Sequence, residues 1–362
     1  MFVAWRDLRF ARGRFTLIGS VVALITLLVG FLSGLTGGLA SQNVSGVLDL
    51  PADQIVFSAP QTDASTGPSF SDSSITKAQA DSWSTAGDVS SVVPIGITQT
   101  RAQGGDAAST INQASIALFG VGAGFTGDHP ATDGRLVLSK GAASALEVGS
   151  GDTLTVAGTE FTVESITGDS WYSHTPVVYM TLHDWQSNSA GIGNPGAFAT
   201  VLAVTGSPDW SAENAAAGTI SETPLGSLTA IGAFKSEIGS LLMMVALLFG
   251  ISALVIGAFF TVWTMQRKGD IAVLKALGAS TRSLVRDALG QAFVVLLIGV
   301  GVGIGAVALL GTLAGSALPF ILSPFTTLLP AVLLIGLGLA GAAFALRSVT
   351  SADPLTALGS NR

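Results

Sequence analysis

The segment TMQRKGDIAVLKALGAST, residues 264–281, places charged side chains between two long apolar stretches. Its apolar residues Ile271, Leu274 and Leu277 recur at the spacing of one helix face, and the charged residues fall on the other faces. The Gly-Ala-Ser run that follows is typical of a helix C-cap and then of the N-cap of a new helix. The segment is therefore predicted to be a short amphipathic helix at a membrane surface, joined directly to two membrane spans.

Composition places the chain among membrane proteins. Its 362 residues are 49% hydrophobic and 11% charged, and the mean hydropathy is +0.61, whereas soluble domains carry about 25% charged residues. Cysteine is absent, which excludes a disulfide framework and a thiolate metal site. We expect membrane lipid, and no nucleic acid, among the partners of the chain.

Four apolar stretches are long enough to cross a bilayer, which needs roughly 20 apolar residues per helix. We place these transmembrane helices at residues 15–40, 231–263, 288–314 and 325–346. The predicted fold class is an α-helical membrane protein with four transmembrane helices and an α+β extracytoplasmic domain, residues 41–230, inserted between helices 1 and 2. The remaining segments are a cytoplasmic amphipathic N-terminal segment 1–14, a cytoplasmic coupling segment 264–287, a short outer loop 315–324 and a cytoplasmic tail 347–362.

The first apolar stretch is predicted to be a retained helix and not a cleaved signal peptide. Its apolar run is longer than the ~7–15 residues of a signal-peptide core. Gly30, Gly34 and Gly38 recur in it at a spacing of four, a pattern that lets helix backbones approach closely in lipid. These three glycines are therefore candidate helix-packing residues. The alternative is that they only reflect a chain with 45 glycines.

The distribution of charge predicts the orientation. Lys and Arg concentrate in the two chain ends and in the loop at 264–288, whereas residues 41–230 hold four Lys or Arg against 18 Asp or Glu. Cytoplasmic loops of membrane proteins carry an excess of Lys and Arg. We therefore predict a multi-pass protein of the cell membrane, with both termini and the 264–288 loop in the cytoplasm and residues 41–230 outside.

Residues 41–230 have the patterns of a folded domain. DTLTVAGTEFTVESITG (152–168) predicts a β-hairpin around a glycine turn, and TPVVYMTL (175–182) and FATVLAVTG (198–206) predict further strands. SITKAQADSWSTAG (74–87) and LSKGAASALEVGSGD (138–152) predict short helices that end at glycine.

Catalytic patterns are not recognised in this domain. Its three histidines fit no spacing such as two His four apart on a helix, and there is no G-x-S-x-G nucleophile turn. Tyr172, His174 and Tyr179 are residue types that can bind a metal or haem, but no spacing supports ligation, and ordinary surface or core roles are favoured.

Four parts of the chain together resemble one known family. MQRKGDIAVLKALGAST (265–281) resembles the signature segment of the FtsX/MacB superfamily of ABC-transporter permeases. Three other segments resemble its N-terminal amphipathic helix, its outer-domain pattern and its cytoplasmic tail: AWRDLRFARGRFTLI (4–18), GRLVLSKGAASALEVGSGDTLTVAGTEFTVESITG (134–168) and SADPLTAL (351–358). The resemblance covers most of the chain and implies a MacB-like outer domain. The compact size resembles the HrtB/DevC-like haem-exporter permease subgroup.

The resemblance implies a transporter subunit that is not itself an enzyme. It implies a homodimer bound to two copies of an ATP-binding ABC subunit, which holds ATP and Mg²⁺ and whose closure is transmitted mechanically to the spans. The sequence agrees, since it has no G-x-x-x-x-G-K-[ST] phosphate loop. The alternative for the charged loop is a basic interfacial helix that only anchors topology. The candidate coupling residues are Arg267, Lys268, Ile271, Leu274, Lys275, Leu277 and Gly278.

Glu237 is an ionisable residue at the outer end of the second span, which makes it a candidate for a functional site. Leu241 and Met244 follow it on one helix face, and with Phe234 these residues form the predicted substrate-binding set. In a dimer that face would border an apolar crevice with its mate. The alternative is an interfacial carboxylate that pairs with Lys235 or caps the start of the helix.

The resemblance to the haem-exporter permeases implies a hydrophobic cargo, with haem the first choice, and a flat apolar macrocycle with an iron centre would suit such a crevice. Haem is then a transported substrate, no cofactor is intrinsic, and Glu237 is a candidate ligand of the haem iron. The alternatives are an FtsX-like signal-transmitting permease that controls cell-wall hydrolases, a permease for lipid, lipoprotein or peptide export, and a membrane-anchored binding protein without an ATPase.

Overall fold

The computed structural model describes residues 12–60, 67–104, 112–266, 269, 273–275, 277–315 and 318–350. The chain divides into two compact units, Met1–Gly38 with Ser240–Arg362 and Leu39–Gly239. Most of the predicted segments 1–14 and 347–362 lies outside the described residues, and so do three predicted coupling residues, Arg267, Lys268 and Ile271.

In chain order the helices are α1 (Arg12–Leu48), α2 (Lys77–Thr85), α3 (Lys140–Leu146), α4 (Leu182–Gly191), α5 (Trp210–Ala217), α6 (Gly232–Gln266), α7 (Thr281–Ala314) and α8 (Pro324–Thr350), with a 3-10 turn at Gly226–Ala230. The strands are β1 (Gln54–Ser58), β2 (Val89–Gly104), β3 (Asn112–Val121), β4 (Arg135–Leu138), β5 (Thr153–Val156), β6 (Thr159–Ile166), β7 (Trp171–Tyr172), β8 (Thr175–Thr181), β9 (Val201–Gly206) and β10 (Thr219–Glu222).

Four helices are long and apolar enough to cross a membrane, as the sequence predicts: Phe15–Leu48, Gly232–Gln266, Thr281–Ala314 and Pro324–Leu346. Two of them extend seven or more residues beyond the predicted spans at one end. Helix α1 continues to Leu48 and not to 40, and α7 begins at Thr281 and not at 288. Hydropathy marks only the apolar part of a helix, whereas the backbone hydrogen bonds continue into polar sequence. Ser280 accepts a hydrogen bond from the Ser283 N–H at 3.3 Å and so caps the start of α7.

Glycines allow close contacts of α1 within the helical unit. A Cβ atom added to Gly38 would lie 1.8 Å from the carbonyl oxygen of Pro319, and one added to Gly34 would lie 2.4 Å from Cζ of Phe320. At Gly30 the nearest atom would be a methyl carbon of Val307, at 2.8 Å. No side chain fits at Gly34 or Gly38 without displacement of the segment that precedes α8.

Two glycines of α7, which the sequence analysis did not select, bring that helix against α1. A Cβ atom at Gly299 would lie 2.9 Å from the carbonyl oxygen of Gly19, and one at Gly303 would lie 2.8 Å from that of Ala23. Small residues that admit backbone-to-backbone contact are a common basis of helix association in lipid.

The second unit is built on a ten-stranded sheet of order β10-β1-β9-β2-β3-β8-β4-β6-β5, with β7 paired to β8 and a further pairing of β2 with β5. The pairs β3–β8 and β4–β6 are parallel, and the other pairs are antiparallel. Buried apolar residues form separate clusters, one of which includes Val44 and Val47 from the end of α1 together with Phe119 and Val177 of the sheet.

The predicted elements of this domain are confirmed. In the β5–β6 hairpin Leu154 pairs with Phe161, and both side chains are buried. The predicted strands correspond to β8 and β9, and the predicted helices to α2 and α3. The prediction that both helices end at glycine is wrong. Helix α2 ends at Ala86 in extended backbone, and α3 ends at Glu147, which itself adopts the left-handed conformation at φ 53°.

Candidate functional site

The turn between β7 and β8 is a two-residue hairpin loop made of Ser173 and His174. The flanking pairs are Trp171 with Pro176 and Tyr172 with Thr175. Both loop residues have positive φ, 50° and 63°, as a type I′ turn requires, and such turns usually contain Asn and Gly. A left-handed residue other than glycine costs of order 1–3 kcal/mol. The turn is therefore strained and must be held by its surroundings.

The C-terminal part of α1 holds this turn through the backbone. The N–H of Ser173 donates to the carbonyl oxygen of Asn43, and the N–H of His174 donates to that of Gln42, both at 2.9 Å. These two hydrogen bonds direct the His174 side chain to the position beside Asn43.

The close approach of the hairpin to α1 depends on a small residue. A Cβ atom on Gly46 would lie 2.9 Å from Cγ2 of Val177 and 3.0 Å from the carbonyl oxygen of Trp171. At the preceding residue, Oγ of Ser45 accepts a hydrogen bond from the N–H of Trp171 at 2.8 Å. Side chains and backbone of α1 thus fix both the distance and the register of the hairpin.

His174, Glu237 and Asn43 meet at this point. Nε2 of His174 lies 3.1 Å from Oε1 and 3.0 Å from Oε2 of Glu237. Nδ2 of Asn43 donates to Oε2 of Glu237 at 3.2 Å and also lies 3.2 Å from Nε2 of His174. The three residues come from α1, the β7–β8 turn and the first turns of α6, and together they are called the polar triad below.

Exposure differs within the polar triad. The side chains of His174 and Glu237 are 34% and 41% exposed, whereas Asn43 is 1% exposed. Among the described residues Oδ1 of Asn43 has no hydrogen-bond partner. A buried amide oxygen without a partner costs about 1–3 kcal/mol, so this residue is retained at a cost in stability.

The two tyrosines that the sequence analysis considered beside His174 are not suited to bind a metal. Burial raises the pKa of Tyr172 above its ordinary value of 10.0. Burial is also the largest cause of the raised pKa of Tyr179, to which the charges of Asp49 and Asp128 add. Burial therefore disfavours the phenolate form that would bind a metal, whereas the His174 side chain is partly exposed.

The other predicted substrate-binding residues lie along α6. Phe234 packs against the buried cluster of the sheet unit, so part of its side chain contributes to that core. Leu241 is partly exposed, and Met244 is 47% exposed. The structure thus gives Glu237 polar neighbours that sequence spacing could not indicate. Asn43 could have been recognised from the sequence as a candidate site residue, because it is a polar residue near the end of an apolar helix.

A second group of metal-binding residue types lies elsewhere on the sheet unit. One ligand atom from each of Asp133, His183 and Asp184 lies within 4.8 Å of the others, and Nδ1 of His183 is 3.0 Å from Asp133. Both carboxylates already accept hydrogen bonds from nearby residues of the domain. Asp184 accepts from the N–H of Gly134 at 2.8 Å, and Asp133 accepts from Oγ1 of Thr181. Asp133 and His183 are exposed and Asp184 is partly buried, and these hydrogen bonds account for both carboxylates.

The coupling segment presents apolar side chains to its surroundings. Leu277 is 79% exposed, and Leu274 is 45% exposed. The N–H of Ala279 donates to the carbonyl of Leu274, and the N–H of Gly278 donates to that of Lys275, both at 3.0 Å. With Gly278 at φ 93°, this pattern is a Schellman C-cap, which confirms the predicted role of Gly278 in ending the helical segment.

An open groove adjoins the coupling segment at the start of α7. Its volume is about 780 Å³, and it is lined by Ser280, Thr281, Arg282, Ser283, Val285, Arg286 and Leu289. The guanidinium groups of Arg282 and Arg286 lie beside the apolar side chains of Val285 and Leu289. The groove therefore combines positive charge with an apolar floor.

Two family descriptions match the chain. A MacB-like periplasmic core domain matches residues 17–219, which is more than half of the chain. An FtsX-like permease C-terminal region matches residues 258–354. The two matches cover different parts of the chain, the first including α1 and most of the sheet unit and the second the coupling segment, α7 and α8.

Curated relatives match over the full length. Proteins of Staphylococcus haemolyticus and Staphylococcus epidermidis that carry the name hemin transport system permease protein HrtB are each 26% identical, over 99% of this chain and 99% of their own. An uncharacterised ABC transporter permease of Mycobacterium bovis is 33% identical over 125 residues, 34% of this chain and 35% of its own. The periplasmic region of MacB from Actinobacillus actinomycetemcomitans aligns with a TM-score of 0.35 at 13% identity, covering 49% of this chain and 94% of that one.

Proposed function

The chain belongs to the family of MacB-like and FtsX-like ABC-transporter permeases, and from this membership we propose that it is the membrane subunit of an exporter driven by a separate ATP-binding subunit. The observation that carries the proposal is the pair of family matches, 17–219 and 258–354, on a chain with four long apolar helices. ATP and Mg²⁺ are bound by the partner, since the chain has no phosphate-binding loop of its own.

The surface proposed to bind the ATP-binding subunit is the coupling segment with the adjoining groove. Leu277 and Leu274 are exposed apolar side chains, next to the cationic Arg282 and Arg286. Exposed apolar groups rimmed by charge are typical of protein interaction surfaces. The Schellman cap at Gly278 and the serine cap at Ser280 join this surface to α7 with no flexible linker, so a force applied to the segment reaches the helix.

The active assembly is proposed to be a homodimer with two ATP-binding subunits, both chain termini in the cytoplasm and the sheet unit outside the cell membrane. Helix α6 supports a dimer interface because it is the least covered of the four apolar helices. Its most apolar window is 11% buried, against 28% to 33% for the others. A pair of α6 helices would bring two copies of Glu237 to the border of one crevice.

The proposed cargo is a hydrophobic molecule, and haem is the first choice. Relatives named for hemin transport align over 99% of the chain, and Glu237 and the exposed Met244 offer oxygen and sulfur ligands of the kind that bind haem iron. Haem iron accepts protein ligands only on the two opposite faces of the macrocycle. Glu237 and His174, 3.0 Å apart, therefore cannot both bind the same iron from one side, and Glu237 is proposed as the ligand.

Haemin titration of the purified full chain tests the cargo. We expect a shift of the Soret band with wild type, loss of that shift with Glu237→Ala, and retention with Glu160→Ala, an exposed carboxylate on β6. If neither wild type nor variant shifts the band, haem is the wrong cargo. Co-purification with an ATP-binding subunit tests the permease assignment separately, because assembly does not depend on the identity of the cargo.

A further inference from the structure

The polar triad has the spacing of a metal-binding site. Its three closest polar atoms, Nε2 of His174, Oε2 of Glu237 and Nδ2 of Asn43, lie 3.0 to 3.2 Å from one another. Ligand atoms on a tetrahedral zinc ion, at about 2.0–2.2 Å from the metal, are separated by about 3.3–3.6 Å. A displacement of a few tenths of an ångström, together with a rotation of the Asn43 amide that exchanges Nδ2 for Oδ1, therefore brings three ligands to the distances of one ion.

The hydrogen bonding of Asn43 is unsatisfied, and a cation would remove the conflict on the side that faces His174 and Glu237. When Nε2 of His174 carries the proton donated to Glu237, this N–H faces the Nδ2 group of Asn43 at 3.2 Å, so two donors oppose each other. At the same time the buried Oδ1 of Asn43 has no partner in the described part of the chain. Both defects sit on one amide group that is 1% exposed.

Rotation of this amide by 180° places Oδ1 where Nδ2 now lies, which is 3.2 Å from both Nε2 of His174 and Oε2 of Glu237. The rotation forfeits the hydrogen bond from Nδ2 to Glu237 and moves Nδ2 into the buried position where Oδ1 now has no partner. Two oxygens would then face each other, and they repel unless a positive charge lies between them. A metal ion in place of the imidazole proton satisfies the nitrogen and both oxygens.

We propose that His174 Nε2, the Glu237 carboxylate and Asn43 Oδ1 bind one divalent transition-metal ion per chain. An imidazole with a carboxylate and an amide oxygen suits Zn²⁺ and its neighbours in the first transition row, whereas Mg²⁺ and Ca²⁺ prefer oxygen alone. The partial exposure of His174 and Glu237 leaves room for water to complete the coordination.

The ion is a free ion and not the iron of a haem. Three mutually adjacent ligands occupy neighbouring positions around a metal, but the porphyrin nitrogens fill those positions in haem. The proposal therefore stands apart from the proposed cargo, although both use Glu237.

The test is a titration of the purified full-length protein with Co²⁺, followed by absorbance in the visible region, and with Zn²⁺, followed by calorimetry. We expect one ion per chain in wild type. Both His174→Gly and Glu237→Gln are expected to weaken binding at least tenfold. Glycine suits the positive φ at position 174, so a loss of binding in that variant does not arise from a disrupted turn.

His183→Ala is the matched control, because His183 also lies 3.0 Å from a carboxylate. We expect it to leave the affinity unchanged. Absence of Co²⁺ and Zn²⁺ binding in wild type overturns the proposal, and so does unchanged binding in His174→Gly or loss of binding in His183→Ala. Haemin titrated in a parallel sample reports on the proposed cargo alone. Failure of the metal site is therefore distinguished from failure of the haem cargo.

Discussion

His174 and Glu237 are 63 residues apart in the sequence, yet Nε2 of the first lies 3.0 Å from Oε2 of the second. The contact depends on a strained turn that is held by backbone hydrogen bonds to Gln42 and Asn43. Any change in the conformation of this turn is therefore a change in the position of His174.

Replacement of Ser173 by asparagine tests the strain of the turn. Asparagine adopts the left-handed conformation several-fold more often than serine-like residues do, and type I′ turns favour it. We expect Ser173→Asn to raise the free energy of unfolding by about 0.5–1 kcal/mol, measured by thermal unfolding of the full chain in detergent. Ser71→Asn, in a loop with negative φ, is the control and should leave the melting temperature unchanged. An equal rise in both variants would contradict the strain argument.

Replacement of Gly38 by alanine tests the packing of α1. Its Cβ would lie 1.8 Å from the Pro319 carbonyl oxygen, whereas a Cβ on Gly19 of the same helix would contact nothing within 4 Å. Overpacking of this kind costs about 1–3 kcal/mol. We expect Gly38→Ala to lower the melting temperature by several degrees and Gly19→Ala to leave it unchanged or slightly raised. Equal behaviour of the two variants would show that Gly38 is not needed for close approach.

Much of the architecture could be predicted because it depends on local patterns. Long apolar stretches predict the four helices, and alternation predicts the β5–β6 hairpin, where Leu154 and Phe161 pair as expected. The predicted positions of the helix ends were less accurate, because α1 continues through polar sequence to Leu48. The capping of α3 by Glu147 in a left-handed conformation contradicts the usual preference for glycine.

The polar triad could not be predicted from spacing. The turn that carries His174 contains neither glycine nor asparagine, so no residue type marks it as a hairpin. Its position depends on contacts between α1, β7 and β8, which are distant in the sequence. Glu237 is recognisable in the sequence as an ionisable residue at the end of an apolar helix. The identity of the residues around it depends on the tertiary structure.

Replacement of Leu277 by aspartate tests the coupling surface. Leu277 is 79% exposed, so the change should leave the fold intact, but it places an uncompensated charge in the proposed interface. We expect Leu277→Asp, and to a smaller extent Leu274→Asp, to reduce co-purification with the ATP-binding subunit at least tenfold. Leu277→Met keeps an apolar side chain and should bind as wild type does. Normal assembly and transport by Leu277→Asp would exclude this surface as the coupling site.

Replacement of Gly278 by alanine tests the rigidity of the joint before α7. A φ of 93° is unfavourable for any residue with a Cβ, and the penalty for alanine is about 1 kcal/mol or more. We expect Gly278→Ala to speed amide hydrogen exchange in residues 273–279 and to lower transport per ATP hydrolysed. Gly278→Asn should have a weaker effect on both, since asparagine tolerates positive φ. Unchanged exchange in the alanine variant would mean that the cap does not hold the segment.

Removal of the His174 side chain tests whether His174 and haem iron compete for the Glu237 carboxylate. In the structure the Glu237 carboxylate is engaged by His174 and Asn43, so a haem iron that takes this carboxylate must displace a hydrogen bond to a charged group. The net contribution of such a bond at a partly exposed site is about 1 kcal/mol, which corresponds to about fivefold in affinity. We therefore expect His174→Gly to bind haemin several-fold more tightly than wild type in a Soret titration, while Glu237→Ala binds it more weakly. Weaker binding in His174→Gly would instead identify His174 as a ligand of the haem iron, in place of Glu237.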